Sequence, residues 1–156
     1  MNVSLVSIPR TAMLIGCLLL AASTHAADRA PQFLNSPEAE ARNLPFSEAV
    51  RAGDFLFLAG QIGDDRKTGR VVPGGIAPEA RQTLQHIKNV LERNGASLQD
   101  VVKCTVFLAD ISEWPAFNNV YREFFGKPFP ARSALAASGL AMGARVEVEC
   151  IAYVPR

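Results

Sequence analysis

The chain has 156 residues, of which 49% are hydrophobic and 20% charged. This composition fits a single globular domain and excludes a disordered or collagen-like chain. The 16 Lys and Arg residues nearly balance the 15 Asp and Glu residues, giving a formal net charge of +1. The chain lacks the basic excess that would indicate nucleic acid as a main partner. It also lacks the acidic excess that would indicate a basic partner.

Residues 1–26 are typical of a secretory signal peptide. Arg10 precedes the apolar run of residues 11–22, and small residues lead up to a cleavage point after Ala26. The run is shorter than the roughly 20 residues that cross a bilayer core. We therefore expect cleavage, a periplasmic or secreted protein, and no stable membrane association. The alternative is a lipoprotein box ending at Cys17, although most of the apolar run follows that residue.

Cleavage after Ala26 removes Arg10 and no acid, so the 16 basic residues become 15 and balance the 15 acids. Two cysteines remain, Cys104 and Cys150. A disulfide between them is conceivable in an oxidising compartment. Both lie in strand-like runs, however, and two buried free thiols are the favoured interpretation. His86 is the only histidine left and no Cys/His cluster exists, so we expect no metal site.

The next segments predict an irregular lead-in followed by a strand pair. Residues 27–43 are mixed in character and contain two prolines, which indicates irregular structure. Residues 54–60 form a short apolar and aromatic run after the turn signal Ala52-Gly53. They predict a buried strand, paired across that turn with residues 47–51.

Two amphipathic helices follow. The first is predicted to begin at Pro78 and end at Asn94-Gly95, a left-handed cap signal; His86 is interpreted as a surface or boundary residue on it. The second is predicted to begin in Ile111-Ser112-Glu113-Trp114-Pro115, with Pro115 tolerable only in the first turn, and to end at Gly126. Each helix has an apolar stripe at helical spacing, interpreted as core: Ala80, Leu84, Ile87 and Leu91 in the first, and Trp114, Phe117, Tyr121 and Phe125 in the second.

Three further segments predict strands: residues 101–109, 131–137 and 145–154. The β-β-α-β-α-β-β order indicates an α+β fold with one layer of helices on one face of a sheet. Such a layer leaves the other sheet face uncovered, and an oligomer would cover it.

Arg132 is the first candidate site residue, because every near neighbour in Phe129-Pro-Ala-Arg-Ser-Ala-Leu-Ala-Ala137 is apolar or small. A guanidinium is always charged and is costly to bury alone. It should therefore meet a carboxylate, either the protein's own or a ligand's. A structural ion pair or a surface position on a strand remains the alternative.

The last strand carries Arg145, Glu147 and Glu149 at every second position. The two-residue period of a strand places the three charges on one face. They form either a solvated surface or one wall of a polar site in which a Glu acts as a general base.

Several short segments together resemble the RidA family, also called YjgF, the reactive-intermediate deaminases. They fall in the family's order across nearly all of residues 44–156, which we therefore expect to form a RidA-like domain. The segments are Leu44-Pro-Phe-Ser-Glu-Ala49, Leu58-Ala-Gly-Gln-Ile62, Ala80-Arg-Gln-Thr-Leu84, Val101-Val-Lys-Cys-Thr-Val-Phe-Leu108, Phe117-Asn-Asn-Val-Tyr121 with Phe124-Phe125, Phe129-Pro-Ala-Arg-Ser133 and Val146-Glu-Val-Glu-Cys-Ile-Ala152.

The resemblance implies a chorismate-mutase-like α+β domain, with a mixed sheet and two helices on one face. It also implies a homotrimer with sites at the subunit interfaces. The implied activity is hydrolysis of reactive 2-imino acids or their enamine tautomers, such as 2-aminoacrylate, 2-iminopropanoate and 2-iminobutanoate, to 2-keto acids and ammonia. No cofactor or metal is implied.

The resemblance also assigns roles to residues of this chain. Arg132 matches the arginine that holds the substrate carboxylate, and Glu147 the acid that activates water. Gly60 lies in a segment whose backbone contacts the ligand, and Asn118 matches an asparagine near the pocket. The chemistry is coherent, because an imine carbon is already electrophilic and needs a held carboxylate, an aimed water and proton transfer.

Four positions depart from the family pattern. Phe46 and Ala134 are expected in the substrate pocket, where they replace Tyr and Cys. Ala59 replaces Ser, and Gly63 stands where Pro is usual. A less polar pocket follows, so a binding module that holds a small carboxylate without turnover is the alternative function. The third possibility is RNA cleavage or a chaperone-like role. The neutral net charge and the export signal disfavour RNA cleavage.

Overall fold

The computed structural model describes residues 30–155. The expected signal peptide, its cleavage point and Cys17 lie outside the described residues. The strands are β1 (Gln32–Leu34), β2 (Ala49–Ala52), β3 (Phe55–Leu58), β4 (Gln61–Ile62), β5 (Asp64–Asp65), β6 (Arg70–Val71), β7 (Val101–Leu108), β8 (Ala131–Ala136) and β9 (Val146–Tyr153). The α-helices are α1 (Pro37–Ala41), α2 (Ile76–Arg93) and α3 (Trp114–Phe124).

Seven strands form one sheet in the order β1-β2-β3-β9-β7-β8, with β4 also paired to β9. The β7–β8 pairing is parallel and the other pairings in this sheet are antiparallel, so the sheet is mixed. The crossover from β7 to β8 runs through α3, because parallel neighbours need a connection that returns along the sheet. The predicted α+β architecture is confirmed.

Helices α2 and α3 cover one face of this sheet and enclose the core. The predicted stripe of α2 is buried throughout: Ala80, Leu84, Ile87 and Leu91. In α3 the residues Phe117 and Tyr121 are buried, and Phe125 is buried just after the helix, but Trp114 is 41% exposed. The expectation that Trp114 belongs to the core is therefore wrong, because it occupies the first turn of α3, at the rim of the helix layer.

The second face of the sheet lies open in the protomer, as expected from a single helix layer. Strand residues alternate between the two faces, and those of β3 and β9 that point away from the helices are exposed or half-buried. Large apolar side chains follow this open face: Phe33, Phe55, Phe57, Leu135 and Tyr153.

The segment expected to be an irregular lead-in contains two short elements. Strand β1 pairs antiparallel with β2 and so extends the sheet. Helix α1 begins after Ser36, whose side chain accepts a hydrogen bond from the Ala39 backbone N–H. Prolines at the edges of a strand or in the first turn of a helix are compatible with both elements, so the two prolines were a poor guide.

Cys104 and Cys150 are joined in a disulfide, contrary to the favoured interpretation of two free thiols. They are direct cross-strand partners on β7 and β9, with Cα atoms 4.1 Å apart. Both are buried, as expected. Sequence spacing alone did not place them opposite each other, because the pairing of β7 with β9 depends on the whole sheet order.

His86 is buried, not a surface residue. Its Nε2 lies 2.8 Å from the backbone oxygen of Asp64 and 3.4 Å from its carboxylate. The fully buried Asp64 carboxylate also lies 3.5 Å from Arg42 and 3.7 Å from Arg66. Burial lowers the pKa of His86. This polar cluster ties the β5–β6 ribbon to α2 and to the segment after α1.

Gly63 allows a second close approach to α2. A Cβ at Gly63 would lie 2.4 Å from the backbone oxygen of Glu79, a distance that no side chain tolerates. The buried Glu79 carboxylate accepts hydrogen bonds from the backbone N–H groups of Arg145 and Val146. It therefore links the start of α2 to the start of β9, and burial raises its pKa.

Among residues 30–155, no helix is both long and apolar enough to cross a membrane.

Candidate functional site

The side chain of Arg132 points toward the helix layer. In β8 it is the neighbour of buried Cys104 on β7, and paired residues in neighbouring strands face the same side. Its guanidinium carbon lies 4.6 Å from the ring centroid of Tyr121 and 5.7 Å from that of Phe117, both in α3. Stacking over aromatic faces suits a planar guanidinium.

The hydrogen-bond partner of Arg132 is an amide. Its Nη2 donates to the Oδ1 of Asn118 at 2.6 Å. Within residues 30–155, no carboxylate lies within ion-pair distance of this guanidinium. The sequence predicted that Arg132 meets a carboxylate of the protein or of a ligand. The described residues supply no such carboxylate, so a ligand is the remaining source.

A pocket of about 240 Å³ opens beside Arg132. Its lining is mostly aromatic and basic: Asn118, Tyr121, Arg122, Phe129, Pro130 and Arg132. The hydroxyl of Tyr121 is buried and has no hydrogen-bond partner among the described residues. Burial raises its pKa to about 12, so Tyr121 stays neutral. The pocket combines a fixed cation with apolar walls, a lining that suits a small organic carboxylate.

Glu147 lies on the open face of the sheet. It alternates in β9 with the buried Val146 and Val148 and pairs with Phe107 of β7 and Ile62 of β4. Burial raises the pKa of this carboxyl, and the nearby Glu149 raises it further. A half-buried carboxyl with a raised pKa is a suitable proton acceptor near neutral pH.

Gly60 makes room for this carboxylate. A Cβ at Gly60 would lie 1.9 Å from the Oε1 of Glu147, so only glycine allows the present position of the side chain. Gly60 and Glu147 are therefore brought together by the β4–β9 pairing, as the chain leaves β3.

Within one protomer the predicted site residues form two separate groups. Arg132 and Asn118 meet on the helix side of the sheet, and Ala134 follows Arg132 on the same side of β8. Glu147 and Gly60 lie on the open side. The third charge expected on that face, Arg145, precedes β9 and pairs instead with Glu113.

Phe46 belongs to neither group. It lies before β2, is 55% exposed, and does not line the pocket beside Arg132. Ala59, between Gly60 and the end of β3, donates its backbone N–H to the backbone oxygen of Glu48.

Trp114 contacts the site, although its sequence pattern indicated a core residue. Its Nε1 donates to the same Asn118 Oδ1 at 3.1 Å. The signal was present in the i, i+4 spacing of Trp114 and Asn118, which places two helix residues on one face. It was hidden because the same spacing also fits an apolar core stripe.

Among residues 30–155, no group of three or more His, Cys, Asp or Glu side chains is arranged to hold a metal ion.

The residues that match known proteins cover nearly the whole sheet. Residues 34–154 match the family model described as Endoribonuclease L-PSP. The chain belongs to the RidA/YjgF family. The matched range begins in β1 and ends just after β9.

Relatives in the family match most of the domain. The RutC family protein PH0854 of Pyrococcus horikoshii is 49% identical over 109 residues, covering 70% of this chain and 86% of the relative. The 2-iminobutanoate/2-iminopropanoate deaminase of Dermatophagoides farinae is 40% identical over 123 residues, covering 79% and 96%. The crystal structure of RidA from the Antarctic bacterium Psychrobacter sp. PAMC 21119 superposes with a TM-score of 0.68 at 34% identity, covering 81% and 95%.

Proposed function

We propose that this protein hydrolyses reactive 2-imino acids, and their enamine tautomers, to 2-keto acids and ammonia. The observation that carries the proposal is Arg132: a guanidinium fixed in a small pocket, with no carboxylate of residues 30–155 within ion-pair distance. The name of the Dermatophagoides farinae relative supports the same substrate class for this chain.

The guanidinium of Arg132 binds the substrate carboxylate and holds the adjacent imine carbon in a fixed position. A planar, delocalised cation suits this role because it can donate two parallel hydrogen bonds to one carboxylate. Stacking on Tyr121 and Phe117 restricts the guanidinium plane before the substrate arrives, which lowers the entropy lost on binding.

Glu147 accepts a proton from the attacking water. The water oxygen forms a bond to the imine carbon while the C=N pair shifts to nitrogen, giving a carbinolamine. The proton held by Glu147 then passes to this nitrogen, which completes the neutral carbinolamine. The ionised Glu147 next carries the hydroxyl proton of the carbinolamine to the same nitrogen, the C–N bond breaks, and ammonia leaves as the carbonyl forms. The raised pKa of Glu147 suits both the acceptance and the return of this proton.

We also propose that the active unit is a homotrimer. The side chains of Arg132 and Glu147 extend from opposite faces of the same sheet, so one protomer does not bring both groups to one substrate. A neighbouring protomer that covers the open face supplies the missing group. The apolar side chains on that face, among them Phe55, Phe57 and Tyr153, support this assembly.

The test is release of ammonia and 2-oxobutanoate from 2-iminobutanoate generated in solution by an amino acid oxidase. We expect Arg132→Ala to lower kcat/KM by about 10- to 100-fold, the loss typical of a charged hydrogen-bond partner. Glu147→Gln keeps the shape of the side chain but removes the base, and we expect it to lower kcat mainly.

Two outcomes would contradict this proposal, the first its activity and the second its site. A folded protein that binds 2-oxobutanoate but does not accelerate imine hydrolysis is a carboxylate-binding module. If the Arg132→Ala variant still accelerates imine hydrolysis, the reaction takes place at another site. The spontaneous hydrolysis rate, measured without protein, is the baseline for both.

We further propose that the protein acts in the periplasm or outside the cell. The signal-like segment at residues 1–26 supports this location, and so does the buried Cys104–Cys150 disulfide, since disulfides persist in oxidising compartments. Expression of the full chain in a Gram-negative host should give periplasmic protein whose mass corresponds to an N-terminus at Ala27. A full-length protein in the cytoplasmic fraction would contradict this location, and a lipid adduct would indicate processing at Cys17.

A further inference from the structure

Trp114 is the only tryptophan of the chain, and its role is not that of a core residue. It begins α3 and is 41% exposed. Its indole N–H donates to Asn118 Oδ1, one helical turn further along, at 3.1 Å. The indole therefore contacts a pocket residue through a polar atom.

Asn118 Oδ1 accepts from two groups that can only donate. The second is the guanidinium of Arg132, at 2.6 Å. Neither an indole N–H nor a guanidinium has an acceptor atom. The amide of Asn118 therefore has one orientation, because rotation by half a turn would place its NH₂ group against both donors.

This orientation turns the Nδ2 of Asn118 away from Trp114 and Arg132. Within residues 30–155, Nδ2 donates no hydrogen bond, while Asn118 lines the pocket. An amide N–H group is thus available next to the guanidinium of Arg132. Asn118 and Arg132 both line the pocket.

We propose that Trp114 is a positioning residue, which holds the Asn118 amide so that its N–H₂ group, together with Arg132, donates to the carboxylate of the bound 2-imino acid. This inference rests on the proposed function and adds a residue to it. Trp114 itself does not touch the reacting atoms; it acts through Asn118.

Because the chain has one tryptophan, incorporation of a tryptophan analogue changes Trp114 alone. The contribution of its indole N–H can therefore be tested directly. Growth of a tryptophan auxotroph on 3-benzothienyl-alanine replaces Trp114 by a ring of nearly the same shape with sulfur in place of N–H. Growth on 5-fluorotryptophan is the matched control, because it keeps the N–H. We expect the benzothienyl protein to show KM for 2-iminobutanoate raised about fivefold with kcat nearly unchanged, the size of effect of one neutral hydrogen bond. The fluorinated protein should resemble the natural one.

The side-chain amide signals of Asn118 give a second readout, independent of turnover. In the natural protein, ¹⁵N spectra should show two sharp Nδ2 proton signals that shift when 2-oxobutanoate is added. In the benzothienyl protein these signals should broaden in the free state, because the amide has lost one of its two fixing donors. Equal melting temperatures of the two proteins would separate this effect from a loss of fold.

The outcomes distinguish this inference from the proposed function. Unchanged KM and unchanged Asn118 signals in the benzothienyl protein would overturn the role of Trp114. A natural protein that binds 2-oxobutanoate with the expected Asn118 shifts but releases no ammonia would overturn the enzyme and leave the positioning role supported. Failure of the natural protein to bind 2-oxobutanoate would overturn both.

Discussion

Gly60 and Glu147 are in such close contact that the glycine decides where the carboxylate lies. Gly60→Ala would place a Cβ 1.9 Å from Oε1 of Glu147, so the carboxylate must move. We expect kcat for 2-iminobutanoate to fall by about 100-fold, since a displacement near 1 Å of a reacting group has that effect. Gly139→Ala is the matched control, because a Cβ there meets nothing within 4 Å. Equal kcat values for the two variants would contradict the proposed role of Glu147.

The pH dependence of the reaction should report the ionisation of Glu147. Burial, and secondly Glu149, raise the pKa of this carboxyl. Glu147 acts as a base only when ionised, so we expect kcat/KM to fall as the pH drops through this raised pKa. Glu149→Gln removes the second cause and should move this acidic limb to lower pH. A limb that stays in place in Glu149→Gln, or that persists in Glu147→Gln, would assign the titration to another group.

At the residue scale, the sequence identified charged residues better than it identified their neighbours. Arg132 stood out because a guanidinium among apolar residues needs a partner. His86 and Trp114 were misplaced for one reason: a helical pattern gives the face of a residue but not the elements packed against that face. His86 contacts the buried Asp64, which belongs to the β5–β6 ribbon and is far from it in sequence. Trp114 contacts Asn118, a polar residue that does not belong to the apolar stripe by which the helix was recognised.

At the element scale, the disulfide joins the two central strands β7 and β9 across a separation of 46 residues. Closing a loop of this length restricts the unfolded chain, which corresponds to about 4 kcal/mol in the chain-entropy description. We expect the double variant Cys104→Ala, Cys150→Ala to lower the free energy of unfolding in urea by about this amount. Both cysteines are buried, so a small cavity adds to the loss.

The same experiment has a control without mutation. Protein that begins at Ala27, and so lacks Cys17, should resist alkylation at Cys104 and Cys150 when it is unfolded without reductant, and after reduction it should take up two alkyl groups by mass. Alkylation before reduction would contradict the disulfide and restore the interpretation of two free thiols.

The elements themselves were largely predictable from the sequence. Helix α2 was expected from Pro78 to Asn94 and extends from Ile76 to Arg93, because apolar spacing and the Asn-Gly stop agree. The long strands β7 and β9 follow their β-branched and alternating patterns. Strand β1 was missed because three residues carry too short a pattern, and its pairing with β2 is a tertiary effect.

At the scale of the whole molecule, the sheet separates the chemistry of the site. Paired strands hold Arg132 toward the helices and Glu147 toward the open face, and this follows from the two-residue period of β8 and β9. The alternation of Glu147 with buried valines was visible in the sequence. The opposite direction of Arg132 was not, because it depends on the parallel register of β7 with β8. In the proposed trimer, a neighbouring protomer would both cover the open face and bring its own group to the divided site.

The open face is where we expect the protomers to assemble. Phe57 is 43% exposed on that face and pairs with Ile151 at its centre. Phe57→Glu would bury a charge between apolar surfaces, which costs several kcal/mol. We expect the variant to sediment as a monomer with an intact fold, and the natural protein as a trimer. The monomer should lose imine hydrolysis, because its Arg132 and Glu147 no longer share a substrate.

Gln99→Glu provides the matched control, since it adds the same charge at an exposed position before β7. It should remain trimeric and active. Sedimentation velocity and the ammonia assay on the same samples test the link between assembly and activity. A Phe57→Glu monomer with full activity would show that one protomer carries a complete site, and the division of Arg132 from Glu147 by the sheet would then have no bearing on catalysis.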